Sequence, residues 1–249
     1  MNYTNFFRYA AVLFLLVTFS AACKKEKPGN FTVNLQAYVG SQPLSFSNTI
    51  YNDGNTEFYF SKLKFFASHF TLVRADNVEV KIKDAMFFDW SDNSWKSFSA
   101  DVDAGTYKGL KFYVGLDPQQ NATNPDDYKS TEPLGPKTGM FWDWMKHIFV
   151  LLEGRADTLG QNFINSKALR YHTGTDTCYR AVVLTGNNIV INQGEKKSIN
   201  LNVDLLKAFK EPPAPIDMFT QSETQSEGSE LPLAIQFSDQ FAKAFSYSE

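Results

Sequence analysis

The sequence has few of the residues and motifs on which most catalytic sites depend. Its 249 residues include only two Cys and three His. It contains no CxxC pair, no HExxH motif, no Gly-rich phosphate loop and no Gly-x-Ser-x-Gly elbow. The acidic residues are scattered, and no two of them stand out as a general acid and base. These absences argue against an enzyme, so we predict a protein without catalytic activity.

The chain also has little net charge and few long hydrophobic runs. The formal net charge is −3, with 24 basic and 27 acidic residues. Because no strongly basic surface is expected, nucleic acid is excluded as a partner. Apart from the run AAVLFLLVTF at residues 10–19, no stretch approaches the roughly 18 apolar residues of a membrane-spanning helix.

The N-terminal segment has the pattern of a bacterial export signal. Arg8 precedes the apolar run, and small residues at 20–22 lead directly to Cys23. We predict a signal peptide over residues 1–22 and lipidation of Cys23, which anchors the chain to a membrane without a spanning helix. Ser20 stands where lipoprotein signals usually carry Leu, so an ordinary signal peptide is the alternative.

The residues after Cys23 form a polar tether, KKEKPGN, so residues 23–30 are expected to be a flexible lipidated linker. The predicted location is therefore the bacterial cell envelope, with the lipid-anchored protein facing the periplasm or lying on the outer membrane. The membrane is its predicted partner through the lipid, and the sequence does not identify a protein partner.

The remainder alternates between apolar and polar residues as strands do. Residues 31–39 place Phe31, Val33, Leu35, Ala37 and Val39 on one face. Similar patterns predict strands at 58–73, 78–82, 86–90, 107–115, 180–184, 188–191 and 197–203, a long loop at 118–138 and helical segments at 203–210 and 237–247. The fold class is therefore all-β: a β-sandwich of about nine strands with long loops and one or two short helices, in a single domain over residues 31–249.

The most informative stretch is GMFWDWMKHIFVLLEG, residues 139–154. Its Trp, Met and His residues form an electron-rich set that suits a soft metal or a stacked ligand, and equally the centre of a β core. If the stretch is extended, Trp142 and Trp144 share one face and His147 points to the other. On composition alone, both Trp side chains are predicted to be core elements.

The three His residues and Cys178 are the candidate metal ligands. His172 lies in YHTGTDTC (residues 171–178), a Gly-containing polar segment predicted to be a loop, and His147 and His69 lie in predicted strands. For each His, a solvated or hydrogen-bonded structural role is the simpler interpretation. With Cys23 lipidated, Cys178 has no disulfide partner and is either a buried apolar residue or a metal thiolate.

These segments resemble the MbnP-like proteins, an exported β-rich family named for a methanobactin-associated periplasmic member. The family's segments "LKFYVSNIRL", "VPAGTYTGIKFTIGVD", "GMYWSWNSGYIFLKLEG", "YHIGG" and "MFSFE" correspond in order to residues 61–77, 101–121, 139–154, 171–180 and 241–249. The Gly-Met-aromatic-Trp-x-Trp pattern followed by Leu-Glu-Gly is the most specific of these matches. Many relatives carry Tyr-His-Leu where this chain has MFFD (residues 86–89), and usually Asn at His69 and Tyr at His147.

The resemblance implies an envelope β-sandwich that binds copper through His ligands, in some relatives with a Trp oxidised to kynurenine. It points to His172 as the best-matched metal ligand, with His69 and His147 as further candidates, and to Trp142 and Trp144 as candidates for modification or stacking. Two hypotheses follow: a copper-binding lipoprotein, or a metal-free lipoprotein that binds a protein or glycan. Exposed Trp side chains would favour the second hypothesis.

Overall fold

A computed structural model describes residues 27–46 and 49–248. The predicted signal peptide and Cys23 lie outside the described residues. Within the described part, no helix is both long enough and apolar enough to cross a membrane.

Strands dominate the described chain, which contains fourteen of them rather than the nine predicted. They are β1 Gly29–Val39, β2 Gln42–Pro43, β3 Tyr51–Asn52, β4 Thr56–Arg74, β5 Glu79–Asp89, β6 Ser97–Val102, β7 Gly105–Val114, β8 Phe141–Trp142, β9 Lys146–Thr158, β10 Lys167–Gly174, β11 Arg180–Ile191, β12 Lys196–Asp204, β13 Glu223–Thr224 and β14 Phe245–Ser248. The α-helices are α1 Pro118–Asn121, α2 Lys207–Lys210 and α3 Leu231–Lys243. Much of the excess comes from two-residue strands, which are too short to leave a periodic pattern in the sequence.

The strands form two sheets, so the prediction of a mainly β protein is confirmed. The smaller sheet has the order β14-β12-β1-β2, with β6 also paired to β1. The larger sheet has the order β11-β7-β4-β9-β10-β13, with β3 and β5 paired to β4 and β8 paired to β9, and it curls into half a barrel. The long strands β4 and β9 run antiparallel through the centre of the larger sheet and carry Lys62 and Glu153 of the candidate site.

The inner faces of the two sheets enclose an aromatic core. In β1, buried and half-buried residues alternate as predicted, because one face packs inward and the other meets solvent. Phe70 of the larger sheet lies 4.8 Å, centroid to centroid, from Phe98 of the smaller one. Phe112 and Phe245 meet in the same way at 5.2 Å. The sheets therefore pack face to face, and this burial is the main stabilising contribution of the fold.

A second apolar cluster covers the outer face of the larger sheet. Successive strand residues point to opposite faces, so Leu152 joins the inner core while Leu151 and Phe149 join the outer cluster. Met140, Met145 and other residues of the segment before β9 cover these side chains. The outer face is therefore dry in this region, which sets the environment of the site described below.

Several predicted strand boundaries are wrong because the strands continue to pair with their neighbours through polar residues. The predicted strands 78–82 and 86–90 are one strand, β5, whose polar residues 83 and 84 still pair along β4 or face solvent. The predicted strands 180–184 and 188–191 are joined as β11, with a register irregularity between Thr185 and Ile189. The last helix spans Leu231–Lys243 instead of 237–247, and β14 follows it.

Candidate functional site

The GMFWDWMKHIFVLLEG stretch begins with a hairpin, so the condition of one extended stretch, under which Trp142 and Trp144 would share a strand face, is not met. β8 pairs with the start of β9. The Met145 amide N donates to the Trp142 carbonyl O at 3.1 Å, and Lys146 has a positive φ of 66°. The turn places the Trp142 and Trp144 rings in a stack at 5.5 Å. The Trp144 residue is 51% exposed, which contradicts its assignment to the core, because the turn lifts it away from the sheet.

His172 lies in a strand, which corrects its assignment to a loop. It belongs to β10 and stands opposite Leu151 of β9 in the antiparallel register. The pairing with β9 is non-local, so the Gly and Thr residues that follow His172 misled the local interpretation. Its side chain is only 7% exposed.

The ring of His172 contacts an acidic residue and an aromatic ring. His172 Nε2 lies 3.1 Å from Glu153 Oε1, and the other carboxylate oxygen of Glu153 accepts from Lys62 Nζ at 2.8 Å. Trp142 packs against the His172 ring. The two ring centroids are 5.2 Å apart and the interplanar angle is 77°. A continuous series of contacts thus runs from the exposed Lys62 through Glu153 to the buried imidazole of His172, and from there to Trp142.

Burial lowers the pKa of His172 below its ordinary value, and the Glu153 carboxylate opposes this only in part. Burial alone would raise the pKa of Glu153, but its hydrogen bonds and charge interactions with Lys62 and His172 hold it below the usual range. At neutral pH the pair is therefore a neutral imidazole and an ionised carboxylate. His172 donates its Nε2–H to Glu153, which leaves Nδ1 as the basic nitrogen. Nδ1 is buried and has no hydrogen-bond partner.

His147 is held by a different set of contacts at the start of β9. Its Nδ1–H donates to the Asn121 carbonyl O at 3.2 Å, and its backbone N–H donates to Asn121 Oδ1 at 3.2 Å. The ring lies edge-on to Phe66 and Phe141. Burial lowers the pKa of His147, and its buried Nε2 has no hydrogen-bond partner.

His69 sits at an irregular point of β4, with a φ of 52°. Its Nε2 lies 2.6 Å from Oδ2 of Asp117, whose Oδ1 caps the first turn of α1. Since His147 binds Asn121 at the last residue of α1, the two His residues hold the two ends of this helix. Both have structural partners that account for their positions.

The three imidazoles occupy separate environments. His147 lies four residues before Leu151 on β9, so it is about 13 Å along the strand from the neighbour of His172. Within the part of the chain that the structure describes, no group of three His, Cys, Asp or Glu side chains is placed to hold one metal ion. Of the three, only His172 combines an unpartnered nitrogen with a carboxylate that fixes its protonated nitrogen.

Two functional candidates escaped the sequence interpretation. Glu153 and Lys62 lie 91 residues apart in the chain but are brought together by the pairing of β4 with β9. The signal for Glu153 was the Leu-Glu-Gly ending of the Trp motif. Gly154 is required there because a Cβ at this position would lie 2.0 Å from the Tyr59 carbonyl O. Lys62 left no comparable signal, because it is one of many Lys residues on an alternating strand.

The structure defines this chain as a mainly β protein. Its two sheets pack together, and a Trp hairpin folds over a buried His. Comparison with known proteins makes the class specific: the MbnP family model matches residues 28–228, so the chain belongs to the MbnP family. Its fold is similar to that of the solved structure of MbnP from Methylosinus trichosporium, with a TM-score of 0.59 and 14% sequence identity over 89% of this chain and 99% of that chain. No curated protein matches the sequence. The resemblance inferred from the motifs is confirmed.

Proposed function

We propose that this protein is a non-enzymatic copper-binding protein of the bacterial cell envelope, with His172 as its principal ligand. The observation that carries the proposal is the buried Nδ1 of His172. This atom belongs to a neutral imidazole, carries a lone pair and has no hydrogen-bond partner. A buried nitrogen base without a partner is costly in a folded protein, and metal binding would satisfy it.

The surroundings of His172 fit a metal ligand. Ligating imidazoles commonly donate their second N–H to a carboxylate, which fixes the tautomer and makes the ligand nitrogen more basic. Glu153 occupies that position, and its second carboxylate oxygen forms an ion pair with the exposed Lys62. The apolar cluster and Trp142 exclude water, which suits cuprous copper, a soft ion that accepts imidazole and sulfur ligands.

The export signal supports the location in this proposal. Residues 1–22 are taken as a signal peptide, Cys23 as the lipidated residue and residues 23–30 as the tether. The lipid would hold the folded part at the surface of a membrane, facing the periplasm or attached to the outer membrane. Family membership agrees with an envelope protein associated with copper.

The test is a metal analysis of the full chain purified without chelator, followed by Cu(I) titration against a competing chelator. We expect one copper per chain at sub-micromolar affinity and loss of that affinity in His172→Ala. The matched control is His69→Ala, which removes a His whose Nε2 already binds Asp117 and should leave copper affinity unchanged. A wild-type chain that binds no stoichiometric copper would refute the proposal.

A second candidate function is recognition of a protein or glycan without metal. It is favoured by the exposure of Trp144, whose ring stacks on Trp142 beside an open groove that also contains Phe141, Asp143 and Gln225. An exposed Trp ring next to a carboxylate and an amide suits stacking with a sugar or an aromatic side chain. Trp144→Ala would then abolish binding of the partner while copper binding is unchanged.

A further inference from the structure

The turn of the Trp hairpin folds over β10 and places a sulfur atom against Gly174, two residues after His172. Trp142 covers the His172 ring, and three residues later Met145 covers Gly174. A Cβ on Gly174 would lie 2.4 Å from the Met145 Sδ. The thioether therefore fills the space that any side chain at position 174 would need, and Met145 is only 2% exposed.

His172 and Gly174 are two residues apart in one strand, so they point to the same face of the sheet. Positions i and i+2 of a strand are separated by about 6.6 Å. The register of β10 against β9 shifts between Thr173 and Gly174, which lets β9 present one extra residue at this point. The Met145 sulfur thus lies against the face of β10 to which the His172 imidazole points, one step of two residues further along the strand.

We propose that Met145 Sδ is the second ligand, with His172 Nδ1, of a buried Cu(I) ion. This inference rests on the copper-binding function proposed above. A thioether is uncharged and polarizable, and it suits Cu(I) in an apolar pocket where an additional carboxylate would be costly to bury. The absence of a side chain at Gly174 gives the thioether its place on the imidazole's face of β10.

Cys178 is the other buried sulfur near β10, and its contacts differ. Its Sγ lies 3.8 Å from Oγ of Ser226. The same hydroxyl donates to the His172 carbonyl O at 3.3 Å and accepts from the Gly174 amide N at 3.0 Å. Cys178 therefore approaches the backbone edge of β10 through Ser226, whereas Met145 covers the face on which the imidazole lies.

The test compares copper loading and the copper environment in three variants of the full chain. Met145→Leu removes the proposed sulfur and conserves volume, a change that buried cores tolerate well. Met140→Leu is the matched control, because Met140 is equally buried in the same segment. Cys178→Ala removes the competing sulfur. Each chain is loaded with Cu(I) alone, its affinity is measured by chelator competition, and copper K-edge X-ray absorption reports sulfur in the coordination shell.

We expect a sulfur scatterer in the wild-type, Met140→Leu and Cys178→Ala chains and its loss in Met145→Leu. Copper affinity should fall in Met145→Leu by at least about tenfold, because loss of a side chain that merely hydrogen-bonds a metal ligand already lowers affinity by about 10- to 100-fold. Nitrogen and oxygen scatterers alone in wild type, or a sulfur signal that disappears with Cys178, would overturn the assignment of Met145 and leave copper binding through His172 intact. A wild-type chain that takes up no copper would overturn both.

Discussion

Replacing Glu153 tests whether the carboxylate beside His172 prepares it for metal binding. Glu153→Ala removes the acceptor of the His172 Nε2–H, so the two tautomers are no longer distinguished and the ring loses its orientation. Removing a side chain that hydrogen-bonds a metal ligand typically lowers metal affinity by about 10- to 100-fold. We expect Glu153→Ala near the upper end of that range. Glu153→Gln should fall near the lower end, because an amide oxygen still accepts the bond but carries no charge.

The stability of the metal-free chain should fall in the same order. A buried N–H left without its acceptor costs about 1 to 3 kcal/mol of unfolding free energy. Glu153→Ala should therefore destabilise the chain by an amount in that range, and Glu153→Gln by less. Urea unfolding of the metal-free proteins measures this difference, and Cu(I) competition with a chelator measures the difference in affinity.

Lys62→Met is the matched control for the Glu153 variants. It removes the partner on the far side of the carboxylate, whose side chain is 55% exposed. Exposed ion pairs contribute about 0 to 1 kcal/mol, so copper affinity should change by less than about fivefold. Equal affinities in wild type and Glu153→Ala would refute the role given to the carboxylate.

Two further predictions concern the framework of the site. Gly154→Ala should lower the unfolding free energy by about 3 kcal/mol or more, because its Cβ would lie 2.0 Å from the Tyr59 carbonyl O. Gly105→Ala, whose Cβ would meet nothing closer than 3.9 Å, should change it by less than about 0.5 kcal/mol, and equal urea midpoints would contradict this account. The pKa values of His147 and His172 are lowered in the folded state, so the unfolded chain binds more protons below its His pKa of about 6.5. Stability should therefore decrease from pH 7.5 to 5.5, less steeply in His147→Gln; a pH-independent wild type would be inconsistent with neutral buried imidazoles.

The mainly β fold and the family were within reach of the sequence because their signals are local. The alternation of Phe31, Val33 and Leu35 records a half-buried strand directly, and the Trp motif survives as a continuous string. The hairpin within that motif left no such signal. Its turn contains no Gly, Pro or Asn, and the positive φ falls on Lys146, a residue that rarely adopts it.

The candidate site was predicted in part. His172 was identified through the family motif, but its strand depends on pairing with β9, which no local pattern encodes. The partners of its ring are equally non-local: Glu153 is 19 residues away, and Lys62 is on another strand. The exposure of Trp144 also depends on the turn, so composition alone placed it wrongly in the core.

The proposed function depends on the Nδ1 of His172 being a free base prepared for metal. Nitrogen-15 NMR of the His side chains, before and after addition of one equivalent of Cu(I) to the full chain, tests it most directly. We predict that His172 is protonated at Nε2 and unprotonated at Nδ1 without metal, and that Cu(I) shifts the Nδ1 resonance of His172 while those of His69 and His147 stay in place. A protonated Nδ1 in the metal-free chain, or a His172 resonance that does not respond to Cu(I), would contradict the account.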